Sequence, residues 1–133
     1  MSDNLKNWLK EKAEYRFKSE NISEEVLSKL EETAKLCRGD IMKMTTVAGS
    51  GHPGGSMSSI DIYTAVYSLA DIGSDEIVVS HGHTSPGVYS ILGRLGILDT
   101  EEILAFFRHI SGPYEGHVES HLPGIVWSTG KVG

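Results

Sequence analysis

Three Gly-His pairs punctuate this chain, Gly51-His52, Gly82-His83 and Gly116-His117, and each lies in a glycine-rich break between segments of regular apolar pattern. Glycine permits tight turns and close backbone approach, so the breaks fix where helices must stop and where loops can crowd a ligand. Histidine is the side chain most readily poised to donate or accept a proton near neutral pH. A single loop histidine is ordinarily a solvated residue. Three in matching settings predict a fold whose successive loops bring imidazoles toward one polar ligand.

Between the breaks the pattern is mainly helical. Residues 4–19 place Leu5, Trp8, Leu9, Ala13 and Phe17 at helical spacing, which predicts a surface helix that packs one stripe on the rest of the domain. From Ser23 to Ala48, Val26, Leu30, Ala34, Cys37, Ile41, Met44 and Ala48 recur every three or four residues. Ser23 suits an N-cap, Glu24 and Glu25 suit the positive helix end, and Gly49 suits the C′ position. A third helix is expected from Met57 to Ala70. Its apolar residues cover most faces (Met57, Ile60, Ile62, Ala65, Val66, Tyr67, Leu69), which predicts burial. Glu76 to Ser80 reads as a strand. It leads into His81-Gly82-His83-Thr84-Ser85-Pro86, with Ser85 as a cap and Pro86 in the first turn of a helix carrying Val88, Ile91, Leu92 and Leu95 up to Gly96. Asp99 with Glu102 forms a further cap, before a helix expected to run through Ile103, Phe106, Phe107 and Ile110. Residues 112–124 are irregular, and a short apolar run, Ile125 to Trp127, follows. A strand, a polar loop and a helix start in succession have the character of the ligand edge of an open α/β sheet.

Charge narrows the function. Of the net −6, residues 1–43 contribute nothing, with nine Lys/Arg against nine Asp/Glu. Residues 44–133 hold only Arg94, Arg108 and Lys131 against nine acids. No basic stripe is present to neutralise phosphates, so nucleic acid is not an expected partner. A phosphorylated ligand would have to be met by backbone N–H groups, histidines, a metal ion or another chain. The glycine-rich loop at 49–55 has neither the P-loop ending nor the dinucleotide fingerprint. No run approaches the roughly 18 apolar residues of a membrane span, and the opening MSDNLKNWLKEK is not a secretory signal. One cysteine, Cys37, excludes an internal disulfide and is in keeping with a cytoplasmic protein. Its place on the apolar stripe reads as packing rather than catalysis. His81-x-His83 and His117-x-Glu-x-His121 have spacings that can ligate zinc, though no set of four ligands is evident.

Taken together the loops resemble the N-terminal part of transketolase, a thiamine-diphosphate enzyme, from about residue 25 to the last. The matching elements are Ser50 to Gly54, Asp61 in Ser-Ile-Asp-Ile, Ser80 to Pro86, Phe107-Arg108, Gly116 to Glu119, and Pro123 to Gly133. The resemblance implies an α/β fold class, as the N-terminal part of the thiamin-diphosphate-binding fold, mostly helical here with one or two parallel strands. It divides the chain into an N-terminal surface helix at 1–22 and a partial thiamine-diphosphate-binding domain at 23–133. It implies transfer of a two-carbon ketol unit from a ketose phosphate to an aldose phosphate, in the pentose phosphate pathway.

The roles carried over by the resemblance fall on matching residues. His52 would line the substrate channel near the sugar hydroxyls, and His117 would approach the donor ketose and the reacting carbon. His83 would approach the cofactor diphosphate, while Gly130, Lys131 and Val132 would lie along the cofactor rings. Departures from the family pattern are Val118 in place of proline, His81 in place of lysine, Lys131 where proline is common and Val132 in place of leucine. The family's Gly-Asp-Gly motif and later asparagine, which hold Mg2+ or Ca2+, are expected outside these residues, as is the acid that activates the cofactor. The expectation is therefore a portion of a larger or split enzyme, inactive alone, completed by the remainder of a transketolase in a homo- or hetero-oligomer. The alternative is a non-catalytic remnant or assembly module of the same family. Dihydroxyacetone synthase would share these loops, whereas 1-deoxyxylulose-5-phosphate synthase matches them less well.

Overall fold

A computed structural model describes residues 5–11 and 21–131. It contains five α-helices: α1 (Leu5–Glu11), α2 (Glu24–Ala48), α3 (Pro53–Leu69), α4 (Ser85–Arg94) and α5 (Thr100–Phe106). The long α2 lies against α3, α4 and α5, and α3 also packs on α4. Its capping follows the sequence: the Ser23 side chain accepts from the Val26 N–H, and Gly49 closes the helix in the left-handed conformation at φ 60°. Val26, Leu30, Cys37, Ile41 and Met44 form its inward stripe and meet Ile60, Tyr67, Val88, Ile91 and Leu92 in one core. Each such aliphatic side chain removed from water contributes roughly 1.5–3 kcal/mol. Leu5 and Leu9 of α1 join the same core. Ala13 and Phe17, expected to continue that helix, lie outside the described residues. Burial pushes the Cys37 thiol up to about 12, which keeps it protonated and inert.

One charged pair sits inside this helical assembly. Asp40 on α2, 1% exposed, accepts two hydrogen bonds from Arg94 on α4, at 2.6 Å from Nε and 2.7 Å from Nη2. A second link, Arg38 to Asp61 at 2.5 and 3.2 Å, ties α2 to α3 at the surface. The carboxylate of Asp61 is thus an exposed strut between helices.

Four expectations are corrected. The third helix starts at Pro53 rather than Met57, because proline's fixed φ suits the first turn and the following glycines are tolerated there. Burial of this helix is also partial, since Ile62 is 65% exposed. In the next helix the N-cap is Thr84 and Ser85 is already helical. The last helix ends at Phe106 rather than continuing to Ile110, because Arg108 turns left-handed at φ 55° and leaves Ile110 fully exposed.

The expected strand at 76–80 is not formed. Among the described residues there is no strand, and the one ladder contact is an isolated parallel bridge between Ile72 and Asp75. A strand is defined by its partner, and nothing here lies alongside to complete a ladder. Val79 is instead held at its carbonyl by the Thr129 hydroxyl. The described residues therefore form a mostly helical body, with its loops stitched together at one end.

Candidate functional site

Two of the three Gly-His pairs meet directly. The His52 ring, which precedes the first turn of α3, lies edge-on to His83 with centroids 5.3 Å apart. His83 sits in a single 3₁₀ turn, Gly82–Thr84, that leads straight into α4. A methyl at Gly55 would come 3.8 Å from His83 Nε2, so the imidazole stands over the N-terminal turn of α3. That turn presents backbone N–H groups with no intrahelical acceptor, a setting that favours anions.

The third pair arrives by backbone. Val118 N donates to Gly82 O at 3.1 Å, and Thr129 N donates to Val118 O at 3.2 Å. Gly82 and Gly130 are packed so closely that no side chain fits between. A Cβ on Gly82 would lie 2.2 Å from Thr129 O, and one on Gly130 would lie 2.6 Å from His117 Cδ2 and 3.1 Å from Gly82 Cα. Gly130 also adopts φ 87°, the left-handed region that glycine accepts without strain. A side chain on Gly130 would thus meet both the His117 ring and the Gly82 turn, and among the described residues His117 makes no ring contact with His52 or His83. Its carbonyl accepts from the buried Tyr89 hydroxyl at 2.9 Å.

The Gly82 turn is braced by residues that the sequence did not single out. Thr84 Oγ1 donates to His81 O at 2.9 Å, so it accepts from Tyr63, whose hydroxyl lies 2.6 Å away. With that proton used, the Tyr63 oxygen can only accept from His81 Nε2 at 2.9 Å. His81 therefore carries its proton on Nε2, and Ser59 Oγ lies 3.2 Å from the same atom. Burial raises the Tyr63 pKa and keeps the phenol neutral. Ser59 and Tyr63 are four apart on α3, a spacing that puts both on one face. That periodicity was the available signal.

Of the residues expected along the cofactor rings, Gly130 packs against Gly82 and His117. The Lys131 ammonium is committed to Glu119, 2.6 Å from Oε1. Lys131, with help from Ser128, lowers the pKa of Glu119. Val132 lies outside the described residues. His121 is turned away, with Nε2 3.0 Å from Pro113 O. Among the described residues no group of three or more His, Cys, Asp or Glu side chains is arranged to hold a metal ion.

A family model described as "Transketolase, thiamine diphosphate binding domain" matches residues 26–133. The chain belongs to the transketolase family. It is 33% identical over 116 residues to the transketolase of Mus musculus, a stretch covering 80% of this chain and 18% of the mouse protein. Against transketolase 1 of Escherichia coli it is 32% identical over 119 residues, covering 80% and 18%. Against the transketolase of Kluyveromyces lactis it is 31% identical over 96 residues, covering 66% and 14%. The chain thus spans less than a fifth of the length of these curated relatives. No helix among the described residues is long and apolar enough to cross a membrane.

Proposed function

We propose that this transketolase-family domain supplies one wall of a thiamine-diphosphate site and serves transfer of a two-carbon ketol unit between sugar phosphates. The observation that carries this reading is the convergence of the three Gly-His loops on the Gly82–Gly130 contact. The residues present suit the cofactor. The free N–H groups at the start of α3 and the His83 imidazole beside them are donors for a diphosphate. Gly82 is buried in the contact, while Gly130 is exposed and presents bare backbone that a flat ring can approach. Bound thiamine diphosphate would supply the electron sink that cleavage of a ketose carbon–carbon bond requires.

The chain's own groups then have distinct tasks. His83 donates to diphosphate oxygens. Gly130, Lys131 and Val132 contribute backbone along the rings, and the Lys131 side chain adds no charge there because Glu119 holds it. His52 donates to sugar hydroxyls, and His117 holds or moves a proton at the donor ketose oxygen through a ring nitrogen. Mg2+ or Ca2+ would be held by groups outside these residues. The proposed organisation is a partial cofactor-binding domain at 23–133 preceded by a helical segment at 1–22, in the cytoplasm. Residues 76–80 would pair as a strand once the rest of a parallel sheet is alongside.

Assembly with further protein follows from the surface. Val47, Ile62, Val78 and Trp127 are each more than half exposed, which favours a complementary transketolase portion or a second subunit covering them. It also keeps the non-catalytic assembly module as a second reading. Calorimetric titration with thiamine diphosphate and Mg2+ separates the two. Binding by the chain together with a complementary transketolase portion, weakened at least tenfold by His83→Ala, is expected, with ketol transfer appearing only in the mixture. Absence of cofactor binding in the mixture would leave the assembly reading.

A further inference from the structure

The acidic stretch from residue 44 onward has three cations, and two are spent. Arg94 is paired with Asp40 and Lys131 with Glu119. Arg108 is the third. Among the described residues its guanidinium has no carboxylate within 4.0 Å and no hydrogen-bond acceptor, although Glu115 lines the same recess.

That guanidinium is nevertheless positioned. Arg108 is the one non-glycine residue with positive φ among those described, a conformation that a side-chain-bearing residue disfavours. Its N–H donates to Tyr114 O at 2.8 Å, which holds the turn after the buried Phe107. The side chain lies flat against Gly116, where a Cβ would be 2.3 Å from Nη1 and 3.0 Å from Cζ. It faces a cavity of about 340 Å3 that it shares with His109, Glu115 and His117. This volume accommodates a small ligand. Strain maintained at a residue whose charge is otherwise unused is a mark of function. A planar five-donor fork in a recess also lined by His109 and His117 is a donor set for a tetrahedral oxyanion. His109 Nδ1 accepts from the Ser111 N–H at 3.4 Å, which leaves its Nε2 for a ligand.

We propose that Arg108, His109 and His117 form an anion subsite that takes one phosphoryl group, free or as a monoester. The subsite is separate from the diphosphate cradle at α3 and His83, and it stands without the cofactor reading. Glu115 on its rim disfavours a second ligand charge beyond the phosphoryl group.

The test is an NMR titration of the full chain, following the ring signals of its six histidines at constant ionic strength. Inorganic phosphate should move His109 and His117 in a saturable way that Arg108→Gln weakens, whether or not His52 and His83 also shift through the separate cradle. Glycerol 3-phosphate binding more tightly than phosphate would assign the monoester as the source, and the reverse order would assign the free ion. Arg108→Gln should weaken binding at least tenfold. Arg108→Gly relieves the left-handed backbone while deleting the cation, so it should fold and also lose the site. Arg108→Lys, which keeps charge but not the fork, should fall between. Equal shifts with chloride or acetate, shifts confined to His52 and His83, or unchanged binding in Arg108→Gly would each overturn the proposal. Thiamine diphosphate added separately reports on the other cradle, so failure of one site does not mask the other.

Discussion

The α2–α4 interface and the loop end of the molecule solve opposite problems. Between the helices, side chains fill the space, and the one charged pair is closed on itself by two hydrogen bonds. At the loop end the contacts are between backbones. Gly82, Thr129 and Gly130 touch because side chains are missing, and the imidazoles around them keep ring nitrogens available. A stable interior needs its polar groups satisfied, whereas a site needs some of them left for a ligand. The helical body supplies rigidity so that the loop end can remain unfinished.

Replacing Arg94 with Ala should do the greatest damage, because it strands the Asp40 carboxylate in the core. A loss of about 3–5 kcal/mol is expected, read as a lower denaturation midpoint in urea. Gly82→Ala tests the loop end instead. Its methyl would collide with the Thr129 carbonyl, which cannot swing aside, and overpacking of this kind costs about 1–3 kcal/mol. The expected signature is loss of the Val118–Gly82 hydrogen bond in amide exchange while α2 stays protected. If α2 loses protection equally, the two regions are one cooperative unit and the contrast drawn above fails.

Smaller changes sharpen the comparison. Tyr63→Phe removes the hydroxyl that links Thr84 to His81 and should cost about 1 kcal/mol, with a changed His81 tautomer visible in ring nitrogen shifts. The smallest effect belongs to the Glu119–Lys131 pair. The pKa of Glu119 is held below its ordinary 4.5, so the pair's contribution is complete above that value and is lost as pH falls through the lowered folded value. Lys131 is shifted upward by the same partner, so its share is present below its ordinary 10.5 and fades as pH rises past the raised value. Lys131→Ala should therefore flatten the acid limb of a stability–pH profile below about 4.5 and leave the helical midpoint at neutral pH nearly unchanged.

What could be read from the sequence depended on range. The Ser23 cap, the Gly49 stop and the stripe from Val26 to Met44 are local, and the structure has them where the spacing puts them. The Asp99 cap is equally local, and its side chain accepts from the Glu102 N–H at 2.9 Å. Residues 76–80 have strand chemistry but no neighbour, so propensity alone did not make a strand. Apolar spacing extends the last helix to Ile110 because it carries no warning of the left-handed turn at Arg108. In the site, the glycine–histidine loops are legible as loops, and two of their three imidazoles, His52 and His83, meet. The Gly82–Thr129 contact joins residues 47 apart, and no local pattern signals it. The roles of Tyr63 and Thr84 exist only once α3 lies beside the Gly82 turn, so the sequence does not mark them.

Tyr89 is fully buried and fixes His117 by its carbonyl rather than by its ring. The rings of Phe107 and Tyr114 each pack edge-on with Tyr89. The imidazole therefore behaves like a vane on a bolted mast. Its pivot is set by the deepest part of the protein, while its ring nitrogens have no hydrogen-bond partner among the described residues. A variant such as Tyr89→Phe would loosen the mast without touching the vane.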